Sequence, residues 1–382
     1  CVCLLIELAN KRYFSKYPIP ISGLWLLVLY HLASMKIGII GLGQIGSAVV
    51  KHLLNAGHSV KGYDLHPKPE LEQLGFQFCQ DLEHTIEDID LIITALPAPK
   101  HISQVMEVNG LLSKLANRPN TIWMDHTSTD PDEARRFAEL TRNLKIDYLE
   151  APLTGGLTLL QQGLMTVYIG GSDAIYQRIK PVLDAYTTAQ IYLGTWGNPA
   201  TVKIISNMMC AANTAMIGEA MSVFAKSGID LGKGFEAIRV SAGNTYVWET
   251  EAPLAMNGSF DPGFSLQLHN KDLTIGENIC KTLEVKAPVF DTATQVYRDA
   301  MEKYGPSVGS SHPAKLIAEQ SQTDLSYPGF ENWTYTTKHR EGSIVVLHRD
   351  RISTSAPTAA AAGEPSTNNF GTATIPSPPL PP

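Results

Sequence analysis

Short apolar runs punctuate the first half of the chain: KIGIIG, SVKGYD, IDLIITALP, NTIWMD, KIDYLEAP, MTVYIGG and AQIYLG. Between them lie stretches with apolar residues at helical spacing, such as PDEARRFAELTRNL and DAIYQRIKPVLDAY. This alternation, from Lys36 to about Leu193, predicts βαβ units and a mainly parallel sheet covered by helices. After Gly194 the pattern becomes helical throughout. Pro199 to Ala225 is long and apolar nearly all round, which predicts a buried helix or one at a subunit interface. LGKGFEAIRVS, SLQLHNKDLTIGENICKTL, PVFDTATQVYRDAMEKYG and a short PAKLIAEQ continue the helical half. Beyond Ser321 the periodicity fades, and the end of the chain is rich in Pro, Ser, Thr and Ala. That composition predicts disorder over 321–382. GSIVVLHRD within it has strand character but no evident partner.

Composition narrows the classes. At 382 residues and 44% hydrophobic, the chain can bury two cores. A net charge of −7 without a basic block argues against nucleic acid as a partner. Cys1, Cys3, Cys79, Cys210 and Cys280 form neither a disulfide framework nor a metal site, so a reducing, cytoplasmic setting is expected. No segment reads as the ~18 apolar residues of a membrane span. The nearest, Ile21 to Ala33, follows Lys11, Arg12 and Lys16 and faintly resembles a signal peptide. The competing expectation is that Met35 opens the fold and residues 1–34 are an appendage.

The first apolar run leads into Gly41-Leu42-Gly43-Gln44-Ile45-Gly46 and then a helical pattern. In this strand-turn-helix context, G-x-G-x-x-G is a dinucleotide-binding turn. Gly41 would allow the tight turn, Gly43 the approach of a pyrophosphate, and Gly46 close helix–strand packing. The helix N-terminus would face the phosphates. Asp64 ends the second run, 18 residues after Gly46. A carboxylate there suits an adenosine ribose and repels a 2′-phosphate, which favours NAD over NADP. His66 and Lys68 nearby pull the other way.

Four further stretches carry chemistry together. In TALPAPKHI, Leu96 and Pro97 would shape the cofactor wall; read alone, the stretch is equally a strand end closed by prolines. In DHTSTDPDEA, Asp130-Pro131 starts a helix, while Thr127 and Ser128 offer hydroxyls to nicotinamide and substrate. Thr154-Gly155-Gly156 combines one hydroxyl with unhindered N–H groups, a seat for a carboxylate, or simply a loop needing glycine dihedrals. Lys203 lies in the long apolar helix with Asn207 on the same face. Burial would lower its pKa toward the range of a general acid/base; a snorkelling surface lysine is the plainer alternative.

In this order the motifs resemble those of the β-hydroxyacid dehydrogenases, typified by 3-hydroxyisobutyrate dehydrogenase. The G-L-G-x-x-G turn matches Gly41 to Gly46, and the LP loop matches Leu96-Pro97. D-x-S-T-x-x-P matches Asp125 to Pro131, and D-A-P-V-S-G-G matches Glu150 to Gly156. K-x-x-N-N matches Lys203 to Asn207, and K-D-L matches Lys271-Asp272-Leu273. The resemblance covers roughly 35–320. It implies an α/β Rossmann domain with a mainly parallel sheet over 35–196 and an all-α C-terminal domain over 197–320. A long interdomain helix would join them, usually in a homodimer or homotetramer.

The resemblance further implies Lys203 as general acid/base and Asn207 as its orienting partner. Thr154, Gly155, Gly156, Thr127 and Ser128 would hold a small carboxylate substrate. Gly41 to Gly46, Asp64, Leu96, Pro97, Ser128 and Lys271 would hold the cofactor. The departures are Ser206, Thr154, Thr158-Leu159-Leu160 and Pro199, and the tail matches nothing. 6-Phosphogluconate dehydrogenase is similar, but its lysine helix carries a histidine-asparagine pair. Imine reductases usually lack the lysine, as do non-catalytic cofactor-binding relatives.

Overall fold

The computed structural model describes residues 34–340 and 343–348, with side chains through residue 337. The expectation for residues 1–34 therefore lies almost wholly outside the described residues, as does that for 349–382. In chain order the α/β half runs β1 (Lys36–Ile40), α1 (Gln44–Asn55), β2 (Ser59–Tyr63), α2 (Pro69–Glu72), β3 (Gln77–Phe78), α3 (Leu82–Thr85) and β4 (Leu91–Thr94). There follow α4 (Pro99–Ser103), a π-helical turn (Gln104–Val108), α5 (Leu111–Leu115), β5 (Ile122–Asp125), α6 (Pro131–Asn143) and β6 (Asp147–Glu150). The half closes with β7 (Leu153–Thr154), α7 (Gly156–Gln161), β8 (Met165–Gly171), α8 (Asp173–Leu183) and β9 (Thr187–Tyr192).

The sheet order is β3-β2-β1-β4-β5-β6, all parallel, the arrangement of a dinucleotide-binding sheet. Helices cover both faces, so β1, β4 and β5 are buried on both sides and read as unbroken apolar runs. Ile39 pairs with Gly62 of β2 on one side and Ile93 of β4 on the other. Past β6 the direction reverses: β8 runs antiparallel to β6, and β7 and β9 both pair with β8. The seven predicted strands are present. β3 and β7, two residues each, are the additions.

The helical half comprises α9 (Asn198–Lys226), α10 (Leu231–Arg239), α11 (Tyr246–Met256), α12 (Leu266–Thr282), α13 (Pro288–Tyr304) and α14 (His312–Gln320). At 29 residues α9 is long and apolar enough to cross a membrane, contrary to the sequence expectation that no segment is. In this fold it is the axis around which α11, α12, α13 and α14 pack. Its start is held by Glu150 at the end of β6, which accepts hydrogen bonds from Gly197 N and Ala200 N, both at 2.6 Å. The proline at position 199 is accommodated by Gly170, where a Cβ would lie 2.8 Å from the Pro199 ring.

The expected boundary at Gln320 does not hold. Residues 321–337 form a packed strap rather than a disordered tail. Leu325 and Phe330 are buried in the helical core, and Trp333 packs against both this core and that of the α/β half. The Tyr327 hydroxyl lies 3.0 and 2.9 Å from the two carboxylate oxygens of Asp230 and donates to that carboxylate, and Gly232 leaves the room its ring occupies. The strand-like GSIVVLHRD also finds a partner: β10 (Tyr335–Arg340) and β11 (Ser343–His348) pair antiparallel.

Candidate active site

The geometry of the glycine turn gives Gly41 and Gly46 structural reasons to be glycine and leaves Gly43 open. Gly41 sits at φ +96°, and a Cβ there would be 2.4 Å from the Ala95 carbonyl. A Cβ on Gly46 would be 1.9 Å from Gly41 O, so helix and strand close only around glycine. Around Gly43 no atom lies within 4 Å of a built Cβ. The backbone there is open to an incoming group, at the start of α1, whose first N–H groups lack intrahelical partners. Asp64 braces the turn: Oδ2 accepts from Leu42 N at 2.6 Å and Oδ1 from His66 N at 3.1 Å. Its carboxylate thus stands beside the turn. These residues fit a dinucleotide.

At the carboxyl ends of β4 and β5, Leu96 N donates to Thr127 Oγ1 (3.1 Å) and Thr127 N to Asp125 Oδ1 (3.0 Å). Thr94 and Trp123 continue this buried network, and burial pushes Asp125 up to about 6. Thr127 is only 3% exposed, and its hydroxyl ties the Leu96-Pro97 corner to β5. The Thr127 hydroxyl is thus engaged within the fold. Ser128 is half-buried, and its carbonyl accepts from Lys271 Nζ at 3.0 Å.

The lysine lies in a chain of contacts that joins three elements. Lys203 Nζ donates to Asn207 Oδ1 (3.2 Å), and Asn207 Nδ2 donates to Asp272 Oδ2 (2.6 Å). Asp272, 1% exposed, is paired with Lys271 at 3.0 Å, and Lys271 reaches Ser128. Helix α9, helix α12 and the end of β5 thus meet around one buried carboxylate. Burial lowers the Lys203 pKa below its ordinary value, and the Asp272 charge opposes that shift. Ser206, which replaces the first asparagine of the motif, lies beside Tyr168 of β8. The loop Thr154-Gly155-Gly156 turns at positive φ (+129° and +82° at the glycines), and Tyr246 of α11 donates to Gly155 O at 3.3 Å.

Comparison with known proteins settles the family. The family model for the "NAD binding domain of 6-phosphogluconate dehydrogenase" matches residues 36–194. The model for "NAD-binding of NADP-dependent 3-hydroxyisobutyrate dehydrogenase" matches residues 197–317. The 2-(hydroxymethyl)glutarate dehydrogenase of Eubacterium barkeri is 31% identical over 268 residues, covering 69% of this chain and 88% of that protein. The chain belongs to the β-hydroxyacid dehydrogenase family. It is an NAD(P)-dependent oxidoreductase of hydroxyacids. Among β-hydroxyacid dehydrogenases it is also similar to the 2-hydroxy-3-oxopropionate reductase of Escherichia coli K12, at 27% identity over 72% of this chain and 95% of that one. A solved 3-hydroxyisobutyrate dehydrogenase from Salmonella typhimurium superimposes with TM-score 0.66 at 27% identity, over 74% of this chain and all (100%) of that one.

Two residues of this β-hydroxyacid dehydrogenase escaped the sequence reading as individuals. Asp272 stands inside the K-D-L motif, where only its lysine drew attention. Glu150 stands inside the substrate-loop motif and caps α9. An acid between apolar residues in LEAP, and one between a lysine and a leucine in KDLTI, was the available signal, since a buried carboxylate needs partners.

Proposed function

We propose that this enzyme oxidises a small β-hydroxyacid, or reduces the corresponding semialdehyde, with NAD as cofactor and Lys203 as general acid/base. The observation that carries the reading is the Lys203–Asn207–Asp272–Lys271–Ser128 chain at the carboxyl ends of the parallel strands, where ligands bind in such sheets. When bound, the nicotinamide supplies hydride transfer at its C4. Lys203, its pKa lowered by burial, takes the hydroxyl proton of the acid as hydride leaves the same carbon, and returns it in the reverse direction. Asn207 fixes the lysine's position, and Asp272 fixes Asn207. Thr154, Gly155 and Gly156 hold the carboxylate, with the Thr127 or Ser128 hydroxyl helping. Gly41 to Gly46, Asp64, Leu96, Pro97 and Lys271 hold the cofactor. The braced Asp64 carboxylate supports NAD over NADP by repelling a 2′-phosphate.

An exposed apolar stripe on α9 (Ile205, Met209, Met216 and Val223, 44–63% exposed) supports a homodimer or homotetramer. Unpaired Cys79, Cys210 and Cys280 suit a cytoplasmic setting. The test is a screen of 3-hydroxyisobutyrate, 2-(hydroxymethyl)glutarate and 2-hydroxy-3-oxopropionate with each cofactor. Turnover of at least one, with higher kcat/KM for the NAD couple, is expected. Better use of the NADP couple overturns the cofactor assignment, and no turnover of any overturns the substrate class.

A further inference from the structure

Two peculiarities of this chain meet at the substrate loop. The first is the strap 321–337, which begins beyond the family match that ends at residue 317. The second is Thr158, where the family carries a small residue. The strap is anchored along its length: the Ser222 and Thr323 hydroxyls lie 2.9 Å apart, Tyr327 N donates to Met256 O (2.9 Å), and Phe330 meets the edge of Phe235. It ends by placing Tyr335, 8% exposed, in the same core as Leu159 and Leu160, with Leu157 packed on that core. Gln162 Nε2 donates to the Tyr335 carbonyl at 2.9 Å, and Thr158 lies beside the Tyr335 phenol. That phenol lies 3.2 Å from the Tyr246 hydroxyl, which is 3.3 Å from Gly155 O.

Each phenol has one proton. Tyr246 gives its proton to Gly155 O, so Tyr335 gives its own to Tyr246. A trans peptide points its C=O and N–H in opposite directions. Holding the Gly155 carbonyl therefore fixes the direction of the Gly156 N–H, one of the two amides assigned to the carboxylate. A Cβ on Gly156 would sit 3.9 Å from the Tyr335 hydroxyl, so the strap also limits the room beside the loop.

We propose that Tyr335 is a positioning residue for the carboxylate of the substrate, acting through Tyr246 on the Gly155–Gly156 peptide. The inference rests on the assignment of this loop to the carboxylate. It predicts that the hydroxyl governs substrate affinity and leaves proton transfer and cofactor binding alone.

The test uses the full chain and Tyr335→Phe, which keeps the ring. Amide hydrogen exchange over residues 154–161 should quicken in Tyr335→Phe, and unchanged exchange overturns the proposal without reference to any substrate. With 3-hydroxyisobutyrate and NAD, KM should rise about three- to tenfold, the effect of one lost hydrogen bond, while kcat and NAD affinity hold. An unchanged KM, or a fall in kcat alone, overturns it. Tyr246→Phe should match Tyr335→Phe, and the double variant should be no worse than either, because the two hydroxyls act in series. Tyr327→Phe, which loosens the strap far from the loop, should leave KM unchanged; an equal rise there makes Tyr335 merely structural and refutes the proposal. Wild-type inactivity on every acid screened, with exchange altered in Tyr335→Phe, would sink the substrate reading and leave the positioning of the loop supported.

Discussion

Replacing Asp272 with asparagine keeps the side chain's shape and removes its charge. The Lys203 ammonium is 3.2 Å from Asn207 Oδ1, and Asn207 Nδ2 is 2.6 Å from the Asp272 carboxylate. The amide between them spans about 2.2 Å, so the two charges lie within about 8 Å. At an effective dielectric of about 20 this attraction is worth about 2 kcal/mol, or about 1.5 pKa units. Lys271, paired with the same carboxylate, can swing toward water once its partner is neutral, which trims the change to about one unit. The sign follows from the charge. An anion favours the ammonium, so its loss lowers the Lys203 pKa further and keeps the free base to lower pH. In hydroxyacid oxidation the acidic limb of kcat/KM against pH should move down by about one unit in Asp272→Asn, even as the plateau falls. The assay is the pH profile of initial rates for wild type and variant, with a thermal melt to confirm folding. A limb that stays in place, or moves up, would refute the account of this cluster.

The glycine turn offers a contrast between folding and binding. Gly46→Ala should lose fold stability by several kcal/mol, since its methyl would meet Gly41 O. Gly43→Ala should melt like wild type yet bind NADH at least tenfold more weakly in a fluorescence titration; normal binding would mean that no phosphate approaches there. Glu150, 1% exposed, is pushed up to about 7 by burial, with the Gly197 and Ala200 amides pulling the other way. Its folded pKa exceeds the ordinary glutamate value of ~4.3, so its contribution to stability is complete below about pH 4 and declines as pH rises toward 7. Tm should fall across that window, and Glu150→Gln, which has nothing to titrate, should flatten the fall; an unchanged slope would exclude Glu150 as its source.

Much of the architecture could be read from the chain because its physics is local. Strands buried on both faces must be apolar throughout, and β1, β4 and β5 are. Helix α11 escaped because it is buried nearly all round and contains Pro253, so it shows no amphipathic face. The strap escaped for a different reason. Its anchors Leu325, Tyr327, Phe330, Trp333 and Tyr335 follow no helical or strand period and are interleaved with polar residues, Pro328 and Gly329. Composition suggested disorder, whereas long-range burial gives it a place. The site shows the same division. Lys203 and Asn207 are one helical turn apart and visible as a pair. Their link to Asp272 spans 65 positions in sequence and exists only in the packed structure.

Proton transfer by Lys203 is the central claim, and Lys203→Arg tests it most directly. Arginine keeps the positive charge and cannot give up a proton near neutral pH. Measured beside Lys203→Ala, with NADH affinity and Tm as controls, it should lose about 10²–10⁴-fold in kcat, nearly as much as alanine, while the cofactor still binds through the glycine turn. An arginine variant with near-normal kcat would contradict the account and leave Lys203 only the task of supplying charge.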